Sequence, residues 1–223
     1  MKLISAANHR FAPFLENFEA QCKEVGYDHQ VYDLGDLGRG ISLPVDHPRF
    51  QRQGFYHTMQ LGQGWRSKGL HKPRVIADAL QRFSDEDVIG YLDADACPVR
   101  RFDELLSIDF DVLVTQRRPG EPGHEVLGPI NAGVIFFRPR VLDRIDRWAE
   151  LTAQLGNDQL ALRRWIEQVS LSVATVPCLQ YNYYYFPEPP PKDVKIYHFK
   201  EDPTVRPWFE RFRSGRTSNQ AAS

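Results

Sequence analysis

The chain alternates short apolar runs with longer segments in which apolar side chains recur every three or four residues. The short runs predict buried strands and the longer segments predict amphipathic helices. Strand, helix and strand follow one another from the first residues, which is typical of a mostly parallel α/β sheet flanked by helices. The predicted strands are 2–7, 29–34, 88–92, 111–115, 131–139, 172–176 and 194–199, and the predicted helices are 11–25, 72–83, 102–106, 140–155 and 158–169.

Local signals mark the ends of several predicted helices. Glycine ends many helices, so Gly26 and Gly156 are predicted stops. Asn157 is a preferred N-cap, which predicts that a new helix begins directly after it. Pro73 fits a first helical turn and places Lys72 near a helix N-terminus, where backbone N–H groups favour anions.

Three connections are long. Residues 34–69 are rich in glycine and carry scattered aromatic side chains, which predicts a lid or a binding loop, or else small packing clusters. The segment 116–129 is expected to be an exposed loop that faces an acceptor, and 177–191 is aromatic and then proline-rich.

Composition bounds the class of protein. The chain has 223 residues, of which 42% are hydrophobic and 26% are charged, and this is ordinary for a globular protein with one well-buried core. We therefore expect a single domain over residues 1–213 and a disordered tail over 214–223. The net charge of -1 gives no electrostatic reason to expect a nucleic-acid partner.

The C-terminal region is the one candidate basic patch. It alternates arginines with aromatic side chains, which suits peripheral contact with a membrane surface or an anionic acceptor. The alternative is a solvated helix that packs its aromatic rings on the body of the protein. The residues concerned are Arg206, Arg211, Arg213, Arg216, Trp208, Phe209 and Phe212.

Cysteine usage and the N-terminus bear on location. The three cysteines are widely spaced and form no Cys-x-x-Cys pair, so we expect free thiols that pack rather than react. No run approaches 18 apolar residues, and the N-terminus lacks the apolar region of a signal peptide. A cytoplasmic protein is expected.

The candidate chemistry begins at Asp93-Ala94-Asp95, directly after the apolar run 88–92. Ligands of open α/β sheets bind outside the carboxyl ends of the strands, where these two carboxylates fall. Two carboxylates one residue apart repel unless a cation or a proton lies between them. The alternative is that one aspartate caps the next helix and the other is solvated.

Three later motifs follow in order. They are Asn131-Ala132-Gly133-Val134, Asn157-Asp158-Gln159, and Tyr197-His198-Phe199 with Arg206-Pro207-Trp208 after it. Together with Asp93-Ala94-Asp95 they make the chain resemble a GT-A type glycosyltransferase, most closely glycosyltransferase family 8 and related nucleotide-sugar transferases. The resemblance spans most of the chain.

The resemblance implies a divalent metal bound by Asp93, Asp95 and His198. Carboxylate oxygens with one imidazole nitrogen suit Mn²⁺ or Mg²⁺, and the nitrogen favours Mn²⁺. It also implies a UDP-sugar donor, transfer of a hexose, and retention of anomeric configuration.

The resemblance assigns the remaining site residues too. Asn131 would bond to sugar hydroxyls, Asp158 would hold donor hydroxyls, and Gln159 would lie opposite the leaving group. Asp158 and Gln159 are equally common at a plain helix N-terminus. The base and ribose would lie against Ala6, Ala7, Asn8 and Ala94. Ala132 and Gly133 would flank the donor sugar and the acceptor together with Asn131. The diphosphate would lie against Lys72, Arg206 and Lys200, and Lys200 competes with Arg206 because the usual lysine before Pro-Trp is absent.

Two other interpretations stay open. A haloacid-dehalogenase-type phosphatase also carries a strand followed by Asp-x-Asp, although residue 97 here is cysteine and no later acidic pair matches. A non-catalytic module that binds a nucleotide sugar or a glycan is the second. The acceptor is open among a polysaccharide, a lipid-linked sugar, a protein side chain, a small molecule and a modified base.

Overall fold

A computed structural model describes residues 1–43, 71–121, 123–184 and 191–199. Several predictions fall outside the described residues: most of the loop 34–69, the proline-rich end of 177–191, Lys200, Arg206 and the rest of the basic C-terminal patch, and the tail 214–223.

Seven strands form one mixed sheet, and two short strands form a second sheet. In the large sheet the order is β3-β2-β1-β4-β7-β6-β8, with β7 antiparallel to both of its neighbours and the other pairs parallel. The predicted mostly parallel α/β sheet is confirmed. The strands are β1 (Lys2–Ala7), β2 (Asp28–Asp33), β3 (Ile41–Ser42), β4 (Ile89–Leu92), β5 (Ala96–Pro98), β6 (Val112–Gln116), β7 (Ile130–Phe137), β8 (Val173–Pro177) and β9 (Ile196–His198).

Helices cover both faces of the large sheet. Gly26 and Gly156 follow the helices that they were predicted to end, and the Asn157 side chain accepts a hydrogen bond of 2.9 Å from Leu160 N. The α-helices are α1 (Ala12–Val25), α2 (Lys72–Arg82), α3 (His124–Leu127), α4 (Ile145–Leu155), α5 (Asp158–Gln168) and α6 (Cys178–Tyr181), with 3-10 turns at His9–Phe11, Asp103–Ser107 and Pro139–Arg144.

The structure corrects the predicted helix over residues 140–155. Its first part is the 3-10 segment Pro139–Arg144, and the α-helix begins only at Ile145. Arg140 and Arg144 anchor this segment to Asp111, with Nε–Oδ1 and Nη1–Oδ2 distances of 2.6 and 3.3 Å. These ion pairs are long-range contacts, which apolar periodicity does not report.

Two other predicted boundaries change. The segment 116–129 contains α3, and its Arg117 is buried rather than exposed. The last predicted strand, 194–199, is reduced to β9, which pairs with β5 and not with the large sheet. The pairing of β9 with β5 joins residues far apart in the chain, so the local apolar pattern did not predict it.

Alternate residues of each central strand face two apolar layers. Ile4 and Tyr91 lie in the layer that contains α2, α4 and α5, where Trp148 and Trp165 stack with ring centroids 5.8 Å apart. Leu3 lies in the opposite layer, against α1. Because both faces of these strands are buried, both alternating sets of side chains are apolar, and the strands therefore read as near-continuous apolar runs.

The strand order gathers chain ends at one edge of the sheet. β1, β4 and β6 point their carboxyl ends to this edge, and the antiparallel β7 begins there, with Val134 opposite Leu92. The edge also contains the point where the strand order reverses, which is the usual ligand position in open α/β sheets.

Two further observations concern the cysteines and the helices. All three cysteines are buried free thiols, as expected for packing residues. Within the described ranges, no helix combines the length and the apolar character needed to cross a membrane.

We predict that Gly90→Ala destabilises the protein by about 1–3 kcal/mol, because it overpacks the centre of the sheet. A Cβ atom on Gly90 would lie 2.8 Å from Leu3 Cδ2 and 2.8 Å from two ring carbons of Phe136. Urea unfolding followed by circular dichroism measures the change. Thr175→Ala, on an exposed position of β8, is the control and is expected to change stability by less than about 0.5 kcal/mol. Equal effects of the two variants would contradict this interpretation.

Candidate active site

Three candidate metal ligands converge at the carboxyl edge of the sheet. Asp93 and Asp95 follow β4, and His198 is the last residue of β9. One ligand atom from each residue lies within 4.8 Å of the other two. His198 Nε2 is 3.2 Å from Asp95 Oδ1 and 3.9 Å from Asp93 Oδ2.

The small second sheet brings His198 to the carboxylates. Ala96 pairs with His198, and Phe199 N donates a 2.8 Å hydrogen bond to the carbonyl of Asp95. A turn closed by Ala96 N and the carbonyl of Asp93, 2.8 Å apart, presents both carboxylates on the same side. Residues about a hundred positions apart in the chain therefore share one site.

Gly133 makes the close approach possible. A Cβ atom on Gly133 would lie 2.4 Å from His198 Cε1 and 3.1 Å from Asp93 Oδ2. Its carbonyl also accepts a 2.8 Å hydrogen bond from Asp93 N. Any side chain here would occupy the space of the imidazole, so glycine is the residue that fits.

Lys72 is buried between two carboxylates. Its Nζ lies 2.9 Å from Asp93 Oδ1, 2.6 Å from Asp158 Oδ2 and 2.9 Å from the carbonyl oxygen of Ala132. An ammonium group has three protons, so these three acceptors use all of them. The predicted contact of Lys72 with a diphosphate stays a prediction, and the structure adds a role for it in holding the two carboxylates.

Electrostatics in this cluster are strongly perturbed. Burial raises the pKa of Asp93, although the positive charge of Lys72 opposes this. Burial by itself would lower the pKa of Lys72, but the charges of Asp158 and Asp93 outweigh it and raise the pKa above its ordinary value. Burial, followed by repulsion from Lys72, lowers the pKa of His71 to about 3. Lys72 is therefore charged and its neighbour His71 is neutral at pH 7.

Asn131 offers a polar group to the site. Its Oδ1 accepts a 2.8 Å hydrogen bond from Gly133 N. Its Nδ2 is buried and has no hydrogen-bond partner within the part of the chain that the structure describes. Asn131 and Gly133 therefore bond to each other at the start of β7, where the pairing of β7 with β6 is irregular.

The start of α5 closes the site on its other side. Asp158 and Gln159 are the first two residues of this helix, and both are largely buried. Gln159 Oε1 accepts from Ala132 N at 3.4 Å and from Arg117 Nη2 at 3.4 Å. The Asn-Ala-Gly and Asp-Gln motifs are therefore in direct contact.

The end of β1 lies beside the end of β4. Ala6 and Ala7 are 5% and 1% exposed, and Asn8 follows them. Asn8 Oδ1 is buried without a hydrogen-bond partner among the described residues. Ala94, between the two aspartates, is 8% exposed, and its side chain is only a methyl group.

The structure brings the sequence-predicted residues together along one sheet edge. Those placed there are Ala6, Ala7, Asn8, Lys72, Asp93, Ala94, Asp95, Asn131, Ala132, Gly133, Asp158, Gln159 and His198. Lys200 and Arg206 lie outside the described residues.

Sequence reasoning missed Arg117. It is 2% exposed and donates to the carbonyls of Gly128 and Ile130 at 3.1 and 2.8 Å, as well as to Gln159. A charge in a glycine- and proline-rich loop is normally solvated, so no local signal marked it.

Sequence reasoning also missed Thr115 and Asn182, which continue the hydrogen bonding behind His198. Asn182 lies in the aromatic segment that follows β8, and its sequence neighbours gave no indication of its partner.

The donor set fits a divalent cation. Two carboxylates and one imidazole supply hard oxygen ligands and one nitrogen ligand, the set that suits Mn²⁺ or Mg²⁺. Asp93 and Asp95 also lie close enough to repel each other, a repulsion that a cation between them would remove.

The chain has the GT-A fold of nucleotide-sugar transferases, with this sheet order, acids after β4 and an antiparallel β7 beside them. Solved glycosyltransferase structures share it. A glycosyltransferase involved in the glycosylation of the major capsid of PBCV-1 aligns with a TM-score of 0.63 at 15% identity, covering 92% of this chain and 96% of that one. The galactosyltransferase LgtC, in complex with donor and acceptor sugar analogs, aligns with a TM-score of 0.55 at 16% identity, covering 99% and 98%.

A third structure is longer than this chain. The glycosyltransferase GlyE of Streptococcus pneumoniae TIGR4 aligns with a TM-score of 0.59 at 14% identity over 100% of this chain and 65% of its own. No protein-family model and no curated protein sequence matches the chain. The predicted GT-A fold is confirmed, while the narrower resemblance to family 8 stays a prediction.

We predict that Lys72→Met destabilises the protein by about 3–5 kcal/mol, because it leaves two buried carboxylates without their cation. Chemical unfolding measures the loss. Arg82→Met, which removes an exposed charge from the same helix, is the control and is expected to have little effect. Adding Asp158→Asn to Lys72→Met should recover part of the loss, and full additivity would contradict the pairing.

We predict that Gly133→Ala weakens Mn²⁺ binding by about 10–100-fold, because the added methyl group displaces the imidazole of His198. Isothermal titration calorimetry measures the affinity. In a His198→Ala background the same change should cost much less, since the clash with the imidazole is then gone and only the 3.1 Å contact with Asp93 Oδ2 remains. A large additional loss in that background would show that Gly133 acts through another group.

Proposed function

We propose that this protein is a metal-dependent glycosyltransferase that moves a hexose from a UDP-sugar to a hydroxyl acceptor with retention of anomeric configuration. The observation that carries the proposal is the convergence of Asp93, Asp95 and His198 at the carboxyl edge of a GT-A sheet. The likeness to glycosyltransferase structures supports it.

A divalent cation at these three residues supplies positive charge that stabilises the diphosphate as it leaves. Asp93, Asp95 and His198 hold the cation. Arg206 and Lys200 follow β9 in the sequence and are the proposed phosphate-binding cations.

The polar groups around the cluster orient the donor. Buried polar groups are normally hydrogen-bonded, and Asn131 Nδ2 and Asn8 Oδ1 have no partner among the described residues, so they fit a ligand that both accepts and donates. Asn131 would donate to a sugar hydroxyl and Asn8 would accept from the base or ribose. Ala6, Ala7 and Ala94 leave room for the nucleoside, because their side chains are small.

The sugar would lie between β7 and the start of α5. Lys72 fixes the carboxylate of Asp158, which is then positioned to accept from sugar hydroxyls. Gln159 would lie on the side of the anomeric carbon opposite the leaving group. Its contacts with Arg117 and Ala132 restrict its orientation, and positioning of this kind is a main source of catalysis.

The proposal also covers the location of the protein, the extent of its catalytic unit and the class of its acceptor. We place the protein in the cytoplasm, where buried free thiols are stable. The catalytic unit would be residues 1–213. The acceptor is a hydroxyl compound of open class, and contact of the basic C-terminal patch with a membrane surface or an anionic acceptor belongs to the same proposal.

We predict that Asp95→Asn and His198→Ala each reduce Mn²⁺-dependent UDP release at least about 100-fold, because each removes one metal ligand. A UDP-detection assay over a panel of UDP-sugars measures this and identifies the donor. Asp109→Asn, an exposed carboxylate far from the cluster, is the control and should keep full activity.

Full activity of either ligand variant, or turnover in the presence of a chelator, would overturn the metal assignment. A nucleotide-titrated melting curve completes the experiment. Stabilisation by UDP-sugars without turnover, with every acceptor class supplied, would instead identify a non-catalytic binding module.

A further inference from the structure

We propose that Asn182, backed by Thr115, is a positioning residue that fixes the proton of His198 on Nδ1 and turns the Nε2 lone pair to the carboxylates. The inference rests on the proposed function in one respect, since it treats His198 as a metal ligand. The residues Thr115, Asn182 and His198 are called the His198 relay below.

The His198 relay is a continuous buried chain of hydrogen bonds. His198 Nδ1 lies 2.7 Å from Asn182 Oδ1, and Asn182 Nδ2 lies 2.9 Å from Thr115 Oγ1. Asn182 and Thr115 are fully buried, and His198 is 5% exposed. These side chains are shielded from bulk solvent, and each makes its hydrogen bonds to the protein.

The far end of the relay sets the direction of the protons. Thr115 Oγ1 faces the carbonyl oxygens of Asn131 and Val134 at 3.3 and 3.4 Å. A carbonyl oxygen only accepts, so the single hydroxyl proton goes to these carbonyls and Thr115 Oγ1 accepts from Asn182. The amide of Asn182 must then turn its Oδ1 to His198.

An amide oxygen also only accepts, so His198 Nδ1 carries the proton that it donates. In a neutral imidazole the other nitrogen, Nε2, then has the lone pair. This nitrogen is the one that faces Asp95 Oδ1 at 3.2 Å. A flipped Asn182 amide would instead place an N–H on Nε2, directed at the carboxylates and unable to bind a cation.

The backbone beside Asn182 holds His198 in the same place. His198 N donates a 2.8 Å hydrogen bond to the carbonyl of Tyr183, and Tyr183 N donates a 2.9 Å bond to the carbonyl of Ile196. Side chain and main chain of residues 182–183 therefore fix the position and the ring orientation of His198 together. Partners of this kind behind a ligating histidine typically change metal affinity 10–100-fold.

The test measures Mn²⁺ affinity by isothermal titration calorimetry on full-length variants. Asn182→Leu should weaken Mn²⁺ binding about 10–100-fold. Asn182→Asp keeps an oxygen that accepts from Nδ1–H and should stay within a few-fold of the parent protein. Thr115→Val frees the amide to flip and should weaken binding, whereas Thr115→Ser keeps the hydroxyl and should not.

Thr152→Val is the matched control. Thr152 is also a buried threonine whose hydroxyl donates to a carbonyl, at 2.8 Å to Trp148, but it lies outside the His198 relay. It should lower the melting temperature without changing Mn²⁺ affinity. If Asn182→Leu does not fold, the comparison of Thr115→Val with Thr152→Val decides: equal, unchanged Mn²⁺ affinity in both overturns the proposal.

A second readout separates this proposal from the proposed function. Long-range ¹H–¹⁵N NMR of the metal-free protein, with His198→Ala to assign the signal, reports which imidazole nitrogen carries the proton. We expect Nδ1 in the parent protein and in Asn182→Asp, and loss of that preference in Asn182→Leu. A proton on Nε2 alone in the parent protein would overturn the inference.

The two readouts distinguish failure of the proposed function from failure of the inference about the His198 relay. A parent protein that binds no Mn²⁺ but keeps the Nδ1 proton through Asn182 contradicts the proposed function and leaves the relay. If the parent protein binds Mn²⁺, and Asn182→Leu changes neither the Mn²⁺ affinity nor the protonated nitrogen of His198, the proposed function stands and the inference about the His198 relay is overturned.

Discussion

The site depends on the compensation of negative charge at one edge of the sheet. Asp93, Asp95 and Asp158 place three carboxylates there, with side chains only 25%, 13% and 8% exposed. Buried carboxylates are stable only when they are paired or bind a cation. Lys72 compensates Asp93 and Asp158 from within the protein, and the imidazole of His198 lies 3.2 Å from Asp95 Oδ1. The same charge arrangement that constrains folding therefore also underlies the proposed metal site.

The reversed direction of β7 is the architectural feature that assembles this edge. In a wholly parallel sheet the beginning of β7 would lie at the opposite edge from the end of β4. Because β7 is antiparallel, Asn131 and Gly133 lie beside Asp93, and the missing side chain of Gly133 leaves room for His198. One strand thus supplies an amide, a close backbone approach and the carbonyl that positions Asp93.

Precision at the site comes from residues that do not face a ligand. Arg117 orients Gln159, and Asn182 and Thr115 stand behind His198. Each is buried and each bonds to backbone carbonyls or to amides, so each has a fixed orientation. Supporting shells of this kind hold catalytic groups within the tolerance that chemistry needs.

The sequence by itself determined the order of elements and the α/β class, because the ends of strands and helices are local features of apolar periodicity and capping. The candidate residues Asp93, Asp95, Asn131, Asp158 and His198 were predicted from the order of short motifs that resemble those of GT-A glycosyltransferases, and each motif lies near the end or the start of a strand or helix. The tertiary structure alone decided which ends meet: the pairing of β5 with β9, the burial of Lys72 and Arg117, and the hydrogen bonds of Asn182. These depend on contacts between residues far apart in the chain, and periodicity, capping and composition report only on neighbours.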